Sequence, residues 1–530
     1  CTPITLTAAG EDRRIDAHRV DRRLRHPQKT RGLPGMSSPM IGRDLELAEL
    51  RRLFDQVQHG QGQLVLVTGE PGIGKTRLLD ELHARLRHDA AGVQWLAGRC
   101  QEMGASSSFW PMRDLLRSLV AQRDDDEQSA VLGLVEWMVE SGVLSLTQRA
   151  AILPALAYVS GIRLGDPWDT RHTDMEPEAV RTEVVDGLRC FVSALARQRP
   201  TVLVLEDLHW ADTLSLDLFI QLMDDVADLP LLLVGVYRPD AQHRVRQMPT
   251  AAAQHCPGCW LELPLRRLAP AQTRQLLHNL LAADALPAVL EEHLLAQSAG
   301  NPLYLEESVR NMLESQALVR SEDGWIVDPP TLSAELADSL HIIMSARVDR
   351  LAPACRDLLR QMAVLGQRFP LSLAAALYGV DFLPADLLDP LVEHGFIYQE
   401  RSYPEPVFAF AHALIQQSLY RNLLEKQRRA LHGAAAAALE NRTPHAVTDA
   451  VVALSHHWEE SADPARAVPY LLQAAEKARL AYANDEAVTY YQRARSLQEK
   501  VGDRKGAART WMALGLTYLN AHDYGRSQAA

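Results

Sequence analysis

The 530-residue sequence has few of the features that mark disulfide-rich, membrane-spanning or nucleic-acid-binding proteins. Six cysteines in so long a chain, four of them scattered, do not form the disulfide framework of a small secreted protein. No apolar run approaches the roughly 18 to 20 residues that a membrane helix needs. The net charge of −12 argues against a chain whose main task is to bind nucleic acid. Together these absences predict a cytoplasmic protein that does not contact a membrane.

One stretch, residues 63–79, carries the pattern of a phosphate-binding loop. An apolar run ends in G-x-x-x-x-G-K-T at 69–76, and a segment with apolar residues at helical spacing follows. Glycines let successive amides turn toward phosphate oxygens, and the positive end of the following helix favours anions. Lys75 can reach the β- and γ-phosphates, and the Thr76 hydroxyl is placed to ligate Mg²⁺. The predicted nucleotide-binding residues of this loop are Gly69, Glu70, Pro71, Gly72, Ile73, Gly74, Lys75, Thr76 and Arg77.

Two acids, Glu206 and Asp207, follow a second apolar run at 201–205. Phosphoryl transfer needs a magnesium ligand and a group that orients water, so we assign Glu206 to the metal and Asp207 to the water. Either acid fits either role. Arg238 follows a third apolar run and can sense the γ-phosphate, with a surface salt bridge as the alternative. Strands that alternate with helices predict an α/β P-loop NTPase fold, a parallel sheet with helices on both faces.

The composition and spacing divide the chain into five parts. Residues 1–35 are polar and Arg-rich and are predicted to be disordered, with a nucleic-acid-binding arm as the less favoured alternative. Met36 is expected to be the natural start, and the chain is expected to be a fragment, since it stops inside a repeat. Cys256-Pro257-Gly258-Cys259 could be half a zinc site or a redox pair, but an ordinary loop is favoured. The other parts are a P-loop core (36–260), a helical lid segment (261–336), a winged-helix segment (337–426, called the wing segment) and helical repeats of tetratricopeptide type (427–530, called the repeat segment).

Five motifs together resemble the STAND class of AAA-type signalling ATPases, and more closely the ATPase modules of bacterial large LuxR-type regulators and of related proteins with a nucleotide-cyclase domain. These motifs are IGRD at 41–44, GEPGIGKT at 69–76, LVLEDLHWAD at 203–212, VGVYRPD at 234–240 and GNPLYLEE at 300–307. The resemblance implies that Gly42 and Arg43 lie by the adenine and that Pro302 packs against it. It also implies that Arg238 is the sensor arginine and that His412 sits near the ADP phosphates. A packed core histidine is the alternative for His412.

The resemblance implies a switch that binds ATP or ADP with Mg²⁺, hydrolyses ATP slowly and self-associates in the ATP state. A protein or small-molecule inducer would bind the repeats, and DNA would be contacted only through a domain absent from this chain. The competing interpretation is an origin-recognition-type DNA-binding ATPase. The presumed recognition helix, residues 384–394, argues against it because three acids and no Lys or Arg would face phosphates.

Overall fold

The computed structural model describes the greater part of the chain, and the description that follows is confined to that part. The described residues are 2–7, 14–19, 38–89, 92–101, 108–120, 127–165, 175, 177–239, 244–283, 286–321, 324–327, 340–402, 405–441, 450–480 and 483–520.

A five-stranded parallel sheet forms the centre of the P-loop core, in the order β4-β5-β6-β3-β7. Its strands are rich in branched apolar residues, and β6 is buried along its whole length, as expected for a sheet covered on both faces. The fold class predicted from the sequence is confirmed, although the edge strand β7 was not predicted. The strands are β3 (Gln63–Thr68), β4 (Gln94–Arg99), β5 (Thr201–Glu206), β6 (Leu231–Tyr237) and β7 (Trp260–Pro264).

Helices cover both faces of the sheet. Leu47, Leu50 and Phe54 of α1 pack on one face together with α2, and the longer insertion between β4 and β5 covers the other. Leucines and valines at helical spacing supply these apolar faces. The helices of the core are α1 (Asp44–Gln58), α2 (Lys75–Asp89), α3 (Trp110–Val120), α4 (Glu127–Glu140), α5 (Leu146–Ser160), α6 (Pro177–Gln198), α7 (Thr213–Val226) and α8 (Met248–His255).

The lid segment is a small helical unit with its own apolar core. A two-stranded antiparallel hairpin, which was not predicted, closes that core, and the Trp325 indole donates to the Leu281 carbonyl oxygen at 2.9 Å. Its elements are α9 (Pro270–Leu281), α10 (Ala288–Ser298), α11 (Pro302–Glu314), β8 (Leu318–Ser321) and β9 (Gly324–Val327).

The wing segment has the element order expected from the sequence: four helices, a pair of antiparallel strands and a further helix. A third short strand, β10, also pairs with β12 and was not predicted. The elements are α12 (Leu340–Asp349), α13 (Pro353–Met362), β10 (Arg368–Pro370), α14 (Leu371–Tyr378), α15 (Ala385–Glu393), β11 (Ile397–Arg401), β12 (Val407–Phe410) and α16 (Ala413–Asn422).

A buried arginine joins the wing segment to the lid segment. Arg347 of α12 donates to both oxygens of Glu314 at 2.9 Å, to a carboxylate oxygen of Glu307, and to the His394 carbonyl oxygen at 2.6 Å. Its guanidinium also lies 4.7 Å from the centre of the Phe396 ring. Because every donor group of this side chain reaches across the junction, the two segments are fixed to each other.

The repeat segment is all helical in its described residues. Small side chains such as Ala475 and Ala494 let the helices approach closely, and Leu514 of the predicted repeat motif is buried. Residues 521–530 lie outside the described part. The helices are α17 (Glu425–Glu440), α18 (Val451–Glu459), α19 (Val468–Leu480), α20 (Asn484–Val501) and α21 (Arg504–Asn520).

Two local expectations differ from the structure. Within 1–35, predicted to be disordered, β1 (Thr2–Thr7) and β2 (Arg14–Arg19) pair as antiparallel strands. Alternating β-branched and apolar residues, as at Ile4 and Leu6, favour a strand, and this local signal outweighs the charged composition. The C-x-x-C, expected to be an ordinary loop, carries a disulfide between Cys256 and Cys259, whose Cα atoms lie 5.5 Å apart. None of the described helices is both long and apolar enough to cross a membrane.

Candidate nucleotide site

The loop between β3 and α2 has the backbone that a phosphate cradle requires. Gly69, Gly72 and Gly74 all have positive φ angles, of 155°, 78° and 101°, which side-chain-bearing residues rarely adopt. At Gly72 a Cβ atom would also lie 2.8 Å from the Cβ of Leu303, so the lid segment packs directly on the loop. The Lys75 ammonium donates to the Gly69 and Glu70 carbonyl oxygens at 2.6 and 3.0 Å, which holds it over the loop.

Thr76 and Glu206 meet beside this loop, because β5 ends next to the start of α2 in the parallel sheet. The Thr76 hydroxyl donates to Glu206 Oε2 at 2.9 Å, and Arg99 donates to Glu206 Oε1 at 3.1 Å. Burial favours a raised pKa, but Arg99 and the Thr76 hydrogen bond outweigh burial and hold the pKa of Glu206 below its ordinary value. Glu206 therefore stays ionised.

Asp207, the next residue, has the opposite titration behaviour. Burial, together with the charge of Glu206, raises the pKa of Asp207, although Arg99, Arg238 and Lys75 oppose the shift. Its backbone is left-handed, with φ 57° and ψ 40°, an arrangement that Asp tolerates better than most residues. Neighbouring carboxyls with separated pKa values are a usual sign that one holds charge and the other exchanges protons.

A cavity of about 790 Å³ lies against the loop, between the core, the lid segment and the wing segment. Most of the predicted nucleotide-binding residues line it, including Arg238, Pro302 and His412 from three separate parts of the chain. Four predicted residues do not line it: Gly42, Gly69, Glu70 and Glu206. Glu206 contacts two residues that do line it, Thr76 and Arg99. The predicted residues that line it are Arg43, Pro71, Gly72, Ile73, Gly74, Lys75, Thr76, Arg77, Asp207, Arg238, Pro302 and His412.

Two of the predicted residues, Arg43 and Arg77, have contacts that hold the loop in place. Arg43 donates to the Ile73 carbonyl oxygen at 3.3 Å and to the Arg266 carbonyl oxygen at 2.6 Å, which pins the loop to the segment after β7. Arg77 donates to Glu306 at 3.2 Å and so ties α2 to the lid segment. Gly42 has a φ of 67°, and its closest neighbour is the Gln272 side chain.

The GNPLYLEE motif contains the N-cap and the first turns of α11. Asn301 is the N-cap residue: its side-chain oxygen accepts from the Leu303 and Tyr304 amides, and its amide donates to the Pro71 carbonyl oxygen at 3.2 Å. Pro302 occupies the first turn, where a missing N–H costs nothing. The sequence argument assigned Pro302 to the adenine but missed Asn301, which the Asn-Pro N-cap signal could have identified.

Residues 208–213, which follow Asp207, connect the two acids to other parts of the chain. Asp212 caps α7 by accepting from the Ser215 amide at 2.9 Å, and it also accepts from the Phe109 amide at 3.2 Å. Glu486 of α20 accepts from the Thr213 amide at 2.8 Å. The repeat segment therefore contacts the core six residues after Asp207.

His412, Tyr398 and Arg310 line the cavity from the wing and lid segments. His412 is the N-cap residue of α16, so it lies where the helix amides favour an anion. The sequence argument missed Arg99, Arg310 and Tyr398. Arg99 could have been found by the reasoning used for Arg238, since it is the last residue of a parallel strand beside the acids.

The oxygen donors fit a magnesium ion bound together with phosphates. Mg²⁺ prefers one or two carboxylates or hydroxyls, with phosphate oxygens and waters completing the shell. Thr76 and Glu206 supply one hydroxyl and one ionised carboxylate, 2.9 Å apart. In the described part of the chain no three His, Cys, Asp or Glu side chains cluster as a protein-only metal site would require.

Comparisons with known proteins find similarity in the part of the chain that contains this site. The family model of the AAA ATPase domain matches residues 39–234. An uncharacterised protein of Rhizobium meliloti (strain 1021) is 29% identical over 513 residues, which are 91% of this chain and 45% of that protein. The anaerobic nitric oxide reductase transcription regulator of Aliivibrio fischeri is 30% identical over 129 residues, which are 24% of this chain and 25% of the regulator. The chain spans less than half the length of these two curated relatives.

Solved structures with low sequence identity also align. A STAND protein with a tetratricopeptide repeat sensor from Pyrococcus horikoshii is 13% identical, with a TM-score of 0.42, and the alignment covers 94% of this chain and 64% of that one. The Aeropyrum pernix ORC1 protein in complex with DNA is 15% identical, with a TM-score of 0.33, and the alignment covers 72% and 93%. Residues 39–234 of the present chain are therefore similar to AAA ATPase domains, in the same part of the chain that carries the phosphate-loop motif.

Proposed function

We propose that this chain is a nucleotide-controlled signalling switch that binds ATP or ADP with Mg²⁺ and hydrolyses ATP slowly. The observation that carries the proposal is the meeting of Thr76, Glu206 and Asp207 beside the phosphate loop, with the pKa values of the two acids shifted in opposite directions. A bound Mg²⁺ would neutralise charge on the phosphates. Glu206 and Thr76 would hold the ion, while Lys75 would stabilise the phosphoryl oxygens.

Asp207 is proposed to orient the attacking water and to accept its proton as the new phosphorus–oxygen bond forms and the bond from the γ-phosphorus to the bridging oxygen of the departing ADP breaks. Its raised pKa suits a group that takes up a proton during the reaction. Arg238 lines the same cavity and would stabilise the leaving charge through charge-assisted hydrogen bonds. Slow turnover fits a switch, because the nucleotide state must last long enough to be read.

The moving units of the switch are proposed to be the core (36–260) on one side and the lid and wing segments (261–426) on the other. In the ADP state His412 would contact the phosphates from the wing segment and hold the closed arrangement. ATP would favour the open arrangement and self-association, and an inducer would act on the repeat segment. The output is proposed to be transcription or a cyclase, in a part of the protein outside this chain.

Direct DNA binding through α15 is not favoured by its charge. Asp386, Asp389 and Glu393 are all on this helix, with no Lys or Arg among its residues. Carboxylates in a groove lined by phosphates would oppose association.

Lys75→Ala tests nucleotide binding. Hydrogen bonds to charged groups contribute about 1.5–3 kcal/mol each, so losing the ammonium should weaken ATP binding by roughly tenfold or more. Isothermal titration calorimetry measures this affinity, with Lys426→Ala, an exposed lysine in the first turn of α17, as the matched control. Equal ATP affinity in both variants would contradict a phosphate site at this loop.

A further inference from the structure

Arg99 occupies a position that links the metal site to the wing segment. It is the last residue of β4, and the parallel register places it directly opposite Glu206 on β5. Its guanidinium donates to Glu206 at 3.1 Å, on the carboxylate oxygen that Thr76 does not use. The group proposed to hold Mg²⁺ is therefore already paired with a permanent cation.

The wing segment holds this cation from the other side. Arg99 lies 3.6 Å from Glu400 of β11, and its charge also acts on the Tyr398 hydroxyl of the same strand. Glu400 is fixed in turn by Arg368 of β10, at 2.9 Å. Two residues of one strand thus keep the guanidinium against Glu206.

Asp114, a residue of the core, contacts both arginines. Asp114 of α3 accepts from the Arg99 amide at 3.0 Å and lies 3.9 Å from Arg368. We call this set the Arg99 network. Its members are Arg99, Asp114 and Glu206 from the core and Arg368, Tyr398 and Glu400 from the wing segment.

A divalent cation at Glu206 and Thr76 would be placed beside a guanidinium that cannot move away. Two like charges a few ångströms apart in a partly buried site repel strongly. When the wing segment leaves the core, Arg99 loses Glu400 and Tyr398 and can turn toward solvent. The repulsion then falls, so the two arrangements of the wing segment differ in their affinity for the ion.

We propose that the wing segment weakens Mg²⁺ binding through Arg99, so that Mg²⁺ binding and wing docking oppose each other. The inference rests on the proposed function, since it concerns the same metal–nucleotide site. Coupling between two sites is reciprocal. If docking of the wing segment lowers the affinity for Mg²⁺ by some factor, bound Mg²⁺ lowers the docking equilibrium constant by the same factor. Arg99 is a positioning residue in this scheme, acting on the ion through Glu206.

Glu400→Gln tests the coupling with little change in shape. The full chain is saturated with ADP without metal, and Mg²⁺ is then titrated by calorimetry. We expect Glu400→Gln to raise Mg²⁺ affinity by about 5- to 150-fold, the usual size of a coupling between two sites. Tyr398→Phe should act in the same direction, and Glu393→Gln, an exposed acid of the same segment, is the control.

The Arg99→Gln background separates the proposed route from a general effect on the fold. In that background Mg²⁺ affinity should already be high, and adding Glu400→Gln should change it no further. Hydrogen exchange of β11 supplies a second readout: Mg²⁺ should accelerate exchange in the wild-type chain but not in Arg99→Gln.

The outcomes are distinguishable. Absence of ADP binding by the wild-type chain, both without metal and with Mg²⁺ present, would overturn the proposed function itself. Normal ADP binding with unchanged or lower Mg²⁺ affinity in Glu400→Gln would overturn the coupling and leave the proposed function standing. An effect of Glu400→Gln that persists in the Arg99→Gln background would equally overturn the role of Arg99.

Discussion

Arg347→Met tests whether the lid and wing segments are fixed to each other as one body. The Arg347 side chain is 0% exposed and Glu307 is 2% exposed, so the substitution leaves a carboxylate buried without its main cation. Breaking a buried ion pair by removing one partner costs about 3–5 kcal/mol. The chain has several segments and will not unfold in one step, so the cost is best measured as local opening.

Hydrogen exchange followed by mass spectrometry measures that opening on α11 and α12. At about 1.4 kcal/mol per factor of ten, exchange in Arg347→Met should be roughly two to four orders of magnitude faster. Arg360→Met is the matched control, because Arg360 pairs with Asp349 at 3.1 Å on the exposed surface, where a pair contributes about 0–1 kcal/mol.

A double variant completes the argument. Replacing both members of a buried pair by apolar residues is often close to neutral, so Arg347→Met with Glu307→Met should recover most of the lost protection. Exchange in Arg347→Met no faster than in Arg360→Met, or a double variant as labile as the single one, would refute the buried-charge reasoning.

Three further outcomes are expected. Asp207→Asn should bind ATP normally but lose turnover in a phosphate-release assay. Asp228→Asn, an exposed control, should keep its turnover. Normal turnover in Asp207→Asn would mean that another residue activates the water. His412→Ala should release ADP faster in a stopped-flow assay, because it loses a coupling free energy of about 1–3 kcal/mol. Release at the wild-type rate would indicate that His412 is a packed core histidine. Burial, together with the charge of Asp212, raises the pKa of Glu486 from 4.5 to about 8. The stability that Glu486 contributes to the contact between α20 and the core should therefore be fully present below pH 4.5 and lost as pH rises through 8. Glu486→Gln should remove this pH dependence from the hydrogen exchange of α20.

The sequence predicted the parts of the fold that depend on local patterns. The P-loop motif places Lys75 and Thr76 correctly because glycine spacing, strand and helix are all encoded within a few residues. Two of the wing strands, β11 and β12, were predicted from the sequence, whereas β10 was not. Strand β7 was missed because Trp260–Pro264 is only five residues long and is stabilised by pairing with β3, far away in the chain.

The sequence predicted cavity-lining residues that belong to a local motif and missed those whose position depends on pairing with a distant residue. Nothing near Arg99 in the sequence indicates Glu400, since the two come together only when the wing segment packs against the core. The same holds for Glu307 and Arg347, 40 residues apart. Long-range ion pairs of this kind leave no periodic trace in a single sequence.

The eight residues 206–213 receive contacts from two distant parts of the chain. Arg99, held by the wing segment, pairs with Glu206 at one end, and Glu486 of the repeat segment contacts Thr213 at the other. The connection between these ends is short and consists of a 3₁₀ turn, Leu208–Trp210, and the helix cap at Asp212. We therefore expect the acids to respond to both contacts at once. In such a switch, neither the nucleotide nor the inducer alone would be sufficient to free Glu206 and Asp207 from these contacts.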